Sequence, residues 1–262
     1  MDLHSGLPYW IIRNSLWDYF HPLEKDLSTD VVIVGSGITG ALMAHELCHA
    51  GIKCCIVDKR SIATGSSAAS TALLQYEIDV PLCRMAKIIG EENAATAYHG
   101  CLQSISDIKR VLEETGVNAG FEQLPSLFYA SSAADNKLLE QEHEIRQKHK
   151  LPVNLLEKKK IREEYKVKTP GNALINEASA QMDAYRAATG LLAYHIKESG
   201  LKVFTHTSIK ECIETSDGCI MTTDRGHKIK CGYVIIATGF EAGQFLPQKI
   251  MDLNSTYALV SH

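Results

Sequence analysis

Three glycines and one acid carry the first recognisable chemistry of this sequence. Gly35, Gly37 and Gly40 lie in "DVVIVGSGITGALMAHEL", residues 30–47, and Asp58 follows Gly40 by 18 residues. Glycine at such a turn has three physical uses. The first allows the sharp bend, the second lets backbone amides approach a diphosphate, and the third lets helix and strand pack closely. A phosphate there meets the positive end of a helix and its unpaired N–H groups, with Ser36, Ile38 and Thr39 completing the turn. A carboxylate at Asp58 can accept both hydroxyls of a ribose and repels a 2′-phosphate, which disfavours NADP. The six-residue pattern alone also fits a glycine turn with no ligand, so its context decides.

The elements that must position these residues are legible. "DVVIV", the glycine turn, a helix through Ala50 ending at Gly51, and the strand "KCCIVD" make a β-α-β unit. Both strands are apolar on both faces, as a buried parallel sheet requires. A simple nicotinamide domain would continue with alternating strands and helices. This chain instead runs through the small, hydroxyl-rich "KRSIATGSSAASTALLQYEID" and into helical patterns after Pro81. Between Glu91 and Gly116, Tyr98, Cys101, Leu102, Ile105, Ile108 and Leu112 form a core-facing stripe at helical spacing.

Short strand-like pieces, "SLFYA" and "LPVNLLE", flank the charged helix "DNKLLEQEHEIRQKHK", predicting a second, α+β domain. Its His143 and His149 show no carboxylate partner in sequence, and Lys158–Lys160 read as a solvated helix face. A helix from about Asp183 to Ser199 places Ala184, Ala187, Ala188, Leu191, Leu192 and His195 on one side. His195 there reads as a core histidine. Next come the strand "LKVFTH", three short antiparallel strands joined at "SDG" and "DRG", and the apolar strand "YVIIATG".

Totals exclude several classes. At 262 residues and 45% hydrophobic content the chain can build a substantial core. A formal charge of −4 offers no broad positive field for nucleic acid or anionic lipid. The N-terminus lacks the basic and apolar regions of a signal peptide, and no apolar run is long enough to span a bilayer. Eight cysteines without a CxxC pair or zinc-type histidine spacing read as reduced core residues of a cytoplasmic protein, with no metal site. No P-loop lysine follows the glycines, and "TGSSAAS" is not a GxSxG nucleophile elbow.

Four pieces in order carry a family resemblance: "VVIVGSGITG" with Asp58, "GSSAASTALLQYEID", "QMDAYRAATGLLAYHIKESGLKVFTHTSIKECIE" and "GYVIIATGFEAG". Together they resemble the FAD-dependent D-amino-acid oxidase, glycine oxidase and sarcosine oxidase family. The resemblance implies an α/β fold: a Rossmann-like FAD-binding domain with a β-meander, residues 1–80 and 180–245, plus a truncated α+β substrate domain, residues 81–179 and 246–262. It implies FAD as cofactor and a small-molecule substrate, an amino acid or secondary amine oxidised at a C–N bond. FAD-linked oxidation of a C–O substrate such as a hydroxy acid or glycerol phosphate, and a non-catalytic nucleotide-binding module, are the alternatives.

Position by position, the resemblance puts Lys59 and Arg60 at the adenosine pocket. Ser66, Ser67, Ala68 and Thr71 match the segment beside the flavin's phosphates and ribityl chain, and Leu73 and Leu74 the approach to the isoalloxazine ring. Ser66 and Ser67 read equally as helix caps, and Leu73 and Leu74 as core. Ile209 matches a backbone contact to adenine, and Ala237, Thr238 and Gly239 a second turn beside the diphosphate. No catalytic side chain is assigned. Family members continue past the position of Val260, whereas this sequence stops at "STYALVSH", an apolar strand whose partners are expected beyond it.

Overall fold

The computed structural model describes residues 3–4, 6–17, 20–245 and 252. Elements run α1 (Tyr9–Asn14), β1 (Leu27–Val34), α2 (Ile38–His49), β2 (Cys54–Val57), β3 (Leu73–Leu74), α3 (Leu82–Ile89), α4 (Glu91–Thr115), β4 (Glu122–Gln123) and β5 (Ser126–Tyr129). They continue with α5 (Asn136–Lys148), β6 (Asn154–Leu156), α6 (Lys158–Glu164), β7 (Ala173–Asn176), β8 (Ala180–Gln181), α7 (Ala184–Glu198), β9 (Lys202–Phe204), β10 (Ile209–Thr215), β11 (Gly218–Thr223) and β12 (Lys228–Ile236). A 3₁₀ turn occupies Ser66–Ala69 and another Gly239–Phe245. Among the described residues no helix is long and apolar enough to cross a membrane.

The chain divides into two compact units. One comprises Met1–Thr71, Glu114–Ala119 and Asp183–His262, and is built on a six-stranded sheet ordered β10-β11-β12-β1-β2-β9. β1 pairs in parallel with β2, with Val31 opposite Cys54, and with β12, with Leu27 opposite Ile229. The last four residues of β1 and the last three of β2 are buried, as their apolar runs require. Val32, Val34, Cys55, Val57, Met221 and Ile229 belong to one core cluster. Helix α7 buries the apolar side read from its sequence and is capped by Asp183, whose carboxylate accepts from the Arg186 N–H at 2.9 Å.

β12 differs from the sequence expectation. The third meander strand and "YVII" are one nine-residue strand: Lys228–Cys231 pairs antiparallel with β11, while Ile229–Ile236 runs parallel to β1. Sequence periodicity split it because its first half alternates and its second half is apolar, although hydrogen bonding to β1 is continuous.

The other unit, Ala72–Glu113 and Gly120–Met182, holds two three-stranded sheets, β3-β8-β4 and β5-β7-β6. The α4 stripe buries Tyr98, Ile105 and Leu112. The charged helix α5 is a correction, for Glu142 and Arg146 are fully buried. Glu142 caps α3, accepting the Leu82 and Cys83 N–H groups at 2.8 Å each, and binds Arg146 Nε at 2.7 Å. Arg146 also pairs with Glu77 at 3.1 Å and lies over the rings of Tyr76 and Tyr98. His149 has the carboxylate partner its sequence context did not reveal, Glu91 at 2.6 Å. Lys159 and Lys160 do form a solvated face, paired one helical turn on with Glu163 and Glu164. The expected strand at the C-terminus lies outside the described residues.

Candidate cofactor site

Two of the glycines hold places in the turn that no larger residue could take. Gly35 has φ +109°, and a Cβ there would sit 2.5 Å from the Ala237 carbonyl oxygen. A Cβ on Gly40 would sit 1.9 Å from the Gly35 carbonyl oxygen, so Gly40 lets α2 close onto the strand end. Gly37 has ordinary dihedrals, and a Cβ there would meet only Ser67 Oγ at 3.0 Å. Its missing side chain therefore keeps space open on the outside of the turn rather than relieving backbone strain.

That space is part of a pocket of about 270 Å³. Gly35, Gly37, Ile38 and Thr39 line one side, and Asp58, Lys59 and Arg60 another. Ser66 and Ser67, then Ile209, then Ala237, Thr238 and Gly239 complete the wall. Ser67 Oγ accepts the Ile38 N–H at 2.9 Å. The Thr39 N–H group, in the first turn of α2 and on the pocket wall, has no intrahelical acceptor and remains for a ligand. The Thr238 hydroxyl is buried and has no hydrogen-bond partner among the described residues.

Asp58 is more committed than its sequence position suggests. Its Oδ2 accepts from the Ser36 N–H at 2.8 Å and the Ser36 hydroxyl at 2.6 Å, and its Oδ1 accepts from the Arg60 N–H at 2.8 Å. Of the roughly four lone-pair sites of a carboxylate, about one on Oδ1 remains for a ribose hydroxyl. Ser36 is fully buried and serves this brace, not the pocket wall. Ala68 is buried within its 3₁₀ turn and Thr71 is exposed; neither lines the pocket. Leu73 and Leu74 form β3, pairing with Gln181 and Ala180 in the second unit.

Sequence reasoning missed Glu241. It is 5% exposed, lines the pocket, and binds Lys59 at 2.7 Å and Arg60 at 3.0 and 3.2 Å. Burial alone would raise its pKa, but the hydrogen bonds and charges of Arg60 and Lys59 pull it down to about 2. The only available signal was an acid two residues past the "ATG" turn, in "ATGFEAG".

The profile of the family described as FAD dependent oxidoreductase, the DAO family, matches residues 30–261. The chain belongs to this family. A curated relative is the "Putative Rieske 2Fe-2S iron-sulfur protein YhfW" of Bacillus subtilis, 23% identical over 88% of this chain and 44% of its own length. Glycine oxidase from Geobacillus kaustophilus superposes with a TM-score of 0.69 at 22% identity, over 83% of this chain and 57% of that one. L-α-glycerophosphate oxidase from Mycoplasma pneumoniae, solved with FAD bound, superposes with a TM-score of 0.66 at 21% identity, over 83% and 56%. The chain thus spans about half the length of these relatives.

The DAO-family cofactor is FAD, and the residues present fit its adenosine diphosphate half. The open space at Gly37, the unpartnered Thr238 hydroxyl and the remaining Asp58 lone pair converge on one pocket. Glu241 neutralises much of the charge of Lys59 and Arg60, so the rim carries no strong excess of positive charge for an additional phosphate.

Proposed function

We propose that this chain holds FAD at the Gly35–Gly40 turn and forms part of an oxidoreductase acting on the C–N bond of an amino acid or secondary amine. The observation that carries the cofactor assignment is the pocket built by Gly37, Thr238 and Asp58. Bound flavin supplies the electron sink that accepts a hydride equivalent from substrate. The chain's own residues bind and orient. Thr39 offers its N–H to the diphosphate at the positive end of α2, and Asp58 Oδ1 accepts from the ribose. Lys59 and Arg60, held by Glu241, wall the adenosine side. Ser66, Ser67 and Ile209 complete the cofactor contacts in this reading.

The C–N assignment is supported by the ordered motifs and by the likeness to glycine oxidase. The likeness to glycerophosphate oxidase favours a second reading, oxidation of a C–O bond. A cytoplasmic setting fits the free cysteines of the chain, and a small-molecule substrate fits the likeness to glycine oxidase. The test is anaerobic addition of amines, hydroxy acids or glycerol 3-phosphate to the FAD-loaded chain while flavin absorbance is followed. Bleaching by amines alone supports the C–N reading, bleaching by alcohols alone replaces it with the C–O reading, and bleaching by neither leaves a binding module.

A further inference from the structure

The opposite end of α2 from the glycine turn carries a second reactive cluster, which the cofactor site does not use. Cys48, in the last turn of α2, has its sulfur 3.8 Å from that of Cys54, the first residue of β2. The intervening turn, residues 49–53, is exposed through His49, Ala50, Gly51, Ile52 and Lys53, and both cysteines are half-buried beside it. Cys55 points to the other face of the sheet and is fully buried, so it does not compete.

A polar chain lies beside Cys48. The Ser199 side chain favours the Cys48 thiolate, and His195 Nδ1 lies 3.0 Å from Ser199 Oγ. His195 Nε2 lies 3.0 Å from His45 Nδ1. Burial, with His45 and His49 beside it, lowers the pKa of His195 and favours the neutral ring. One consistent proton order then follows: His45 Nδ1–H to His195 Nε2 and His195 Nδ1–H to Ser199 Oγ, with the Ser199 O–H left to the side of Cys48.

We propose that Cys48 and Cys54 are a peroxide-responsive dithiol, a modification site that closes to a disulfide across the α2–β2 connection. Two neighbouring groups favour the reaction at Cys48 over the other cysteines. Contact with the Cys54 thiol lowers the Cys48 pKa, burial opposes this, and Ser199 assists, leaving Cys48 at about 7, while the same contact and burial raise Cys54. Burial pushes Cys55 up to about 12 and raises exposed Cys212 as well. A shared metal does not explain the pair: among the described residues no third Cys, His, Asp or Glu ligand atom lies within 4.8 Å of both sulfurs.

The chemistry balances with a hydroperoxide as oxidant. The Cys48 thiolate attacks the distal peroxide oxygen, the O–O bond breaks, and the leaving alkoxide or hydroxide takes a proton, giving Cys48 sulfenic acid. The Cys54 sulfur then attacks the Cys48 sulfur, the S–O bond breaks, and the hydroxide takes the Cys54 proton to leave as water. Two thiols and one peroxide thus become one disulfide, one water and one alcohol or second water.

The full chain, treated at pH 7 with one equivalent of hydrogen peroxide, alkylated and digested with trypsin without reductant, gives a direct readout. Trypsin cuts after Lys53, so peptides 26–53 and 54–59 stay together only through a disulfide. The expected product is that linked pair, two hydrogens lighter than its parts, with fragment ions assigning Cys54. Cys48 is expected to oxidise about 10-fold faster than Cys212 although it is less exposed. Cys54→Ser should leave a dimedone-trappable Cys48 sulfenic acid, and Ser199→Ala should slow oxidation about threefold. Oxidation of Cys212 before any 26–53/54–59 link appears in the unmodified chain would overturn the proposal, as would a Cys54→Ser chain in which dimedone traps no Cys48 sulfenic acid.

Discussion

Two buried glutamates, one in each unit, hold cations in opposite ways. Glu142 and its partner Arg146 are sealed, at 0% and 1% exposure, and every contact described for them lies within the second unit. Glu241 is almost as buried at 5%, but its partners Lys59 and Arg60 keep 39% and 29% exposure and stand on the wall of the cofactor pocket. The first pair lies in a low-dielectric interior where each charge requires the other; the second lies where a ligand can meet the cations. Similar chemistry therefore serves packing in one place and recognition in the other.

The largest effect that sharpens this contrast is expected at Arg146. Arg146→Ala leaves Glu142 and Glu77 buried without their cation and should lower unfolding stability by about 3–5 kcal/mol in a denaturant titration. Because Arg146 has no role at the pocket, FAD affinity of the folded fraction should change less than twofold.

Glu241→Gln comes next. Its ion pairs are partly solvated, so stability should fall by only about 1–3 kcal/mol. The pH response follows from the same contact. Glu241 has its folded pKa depressed from the ordinary carboxylate value of 4.5 to about 2. Its contribution is present above pH 4.5 and is lost as pH falls toward 2. A thermal-melting series over that interval should therefore drop less steeply for Glu241→Gln than for the parent chain.

The smallest effect concerns ligand choice. With Glu241 neutral, Lys59 and Arg60 gain effective charge, and the affinity for 2′-phosphorylated adenosine relative to adenosine monophosphate should rise about 3–10-fold by calorimetry. A similar rise in Glu142→Gln would erase the contrast between the two glutamates.

How far these features could be read from sequence depends on whether the signal is local. The glycine turn, Asp58 and the buried faces of α4 and α7 are written in short spacings, and the structure has them where the spacings put them. Three of the predicted positions act one step away from the pocket. Ser36 braces Asp58, Gly40 closes α2 onto the strand, and Ala68 packs within its turn. Glu241 reaches Lys59 and Arg60 from about 180 residues away, and no periodicity reports such a pair. Glu142 and Arg146 sit in a segment whose average composition says solvent, and only their distant partners Leu82, Cys83 and Glu77 explain why they are inside. Cys48 and Cys54 are close in sequence, yet their contact depends on how α2 turns into β2.

Gly37 offers the most direct test of the central claim, that the α2 turn holds the diphosphate of FAD. A Cβ there meets only the Ser67 hydroxyl, at 3.0 Å, so Gly37→Val should cost a shift of that hydroxyl and a small loss of melting temperature while filling the space outside the turn. Calorimetric titration of the full chain with FAD should give binding that Gly37→Val weakens about 100-fold, roughly 2.7 kcal/mol. Equal FAD affinity in the parent chain and in a folded Gly37→Val variant would contradict the account.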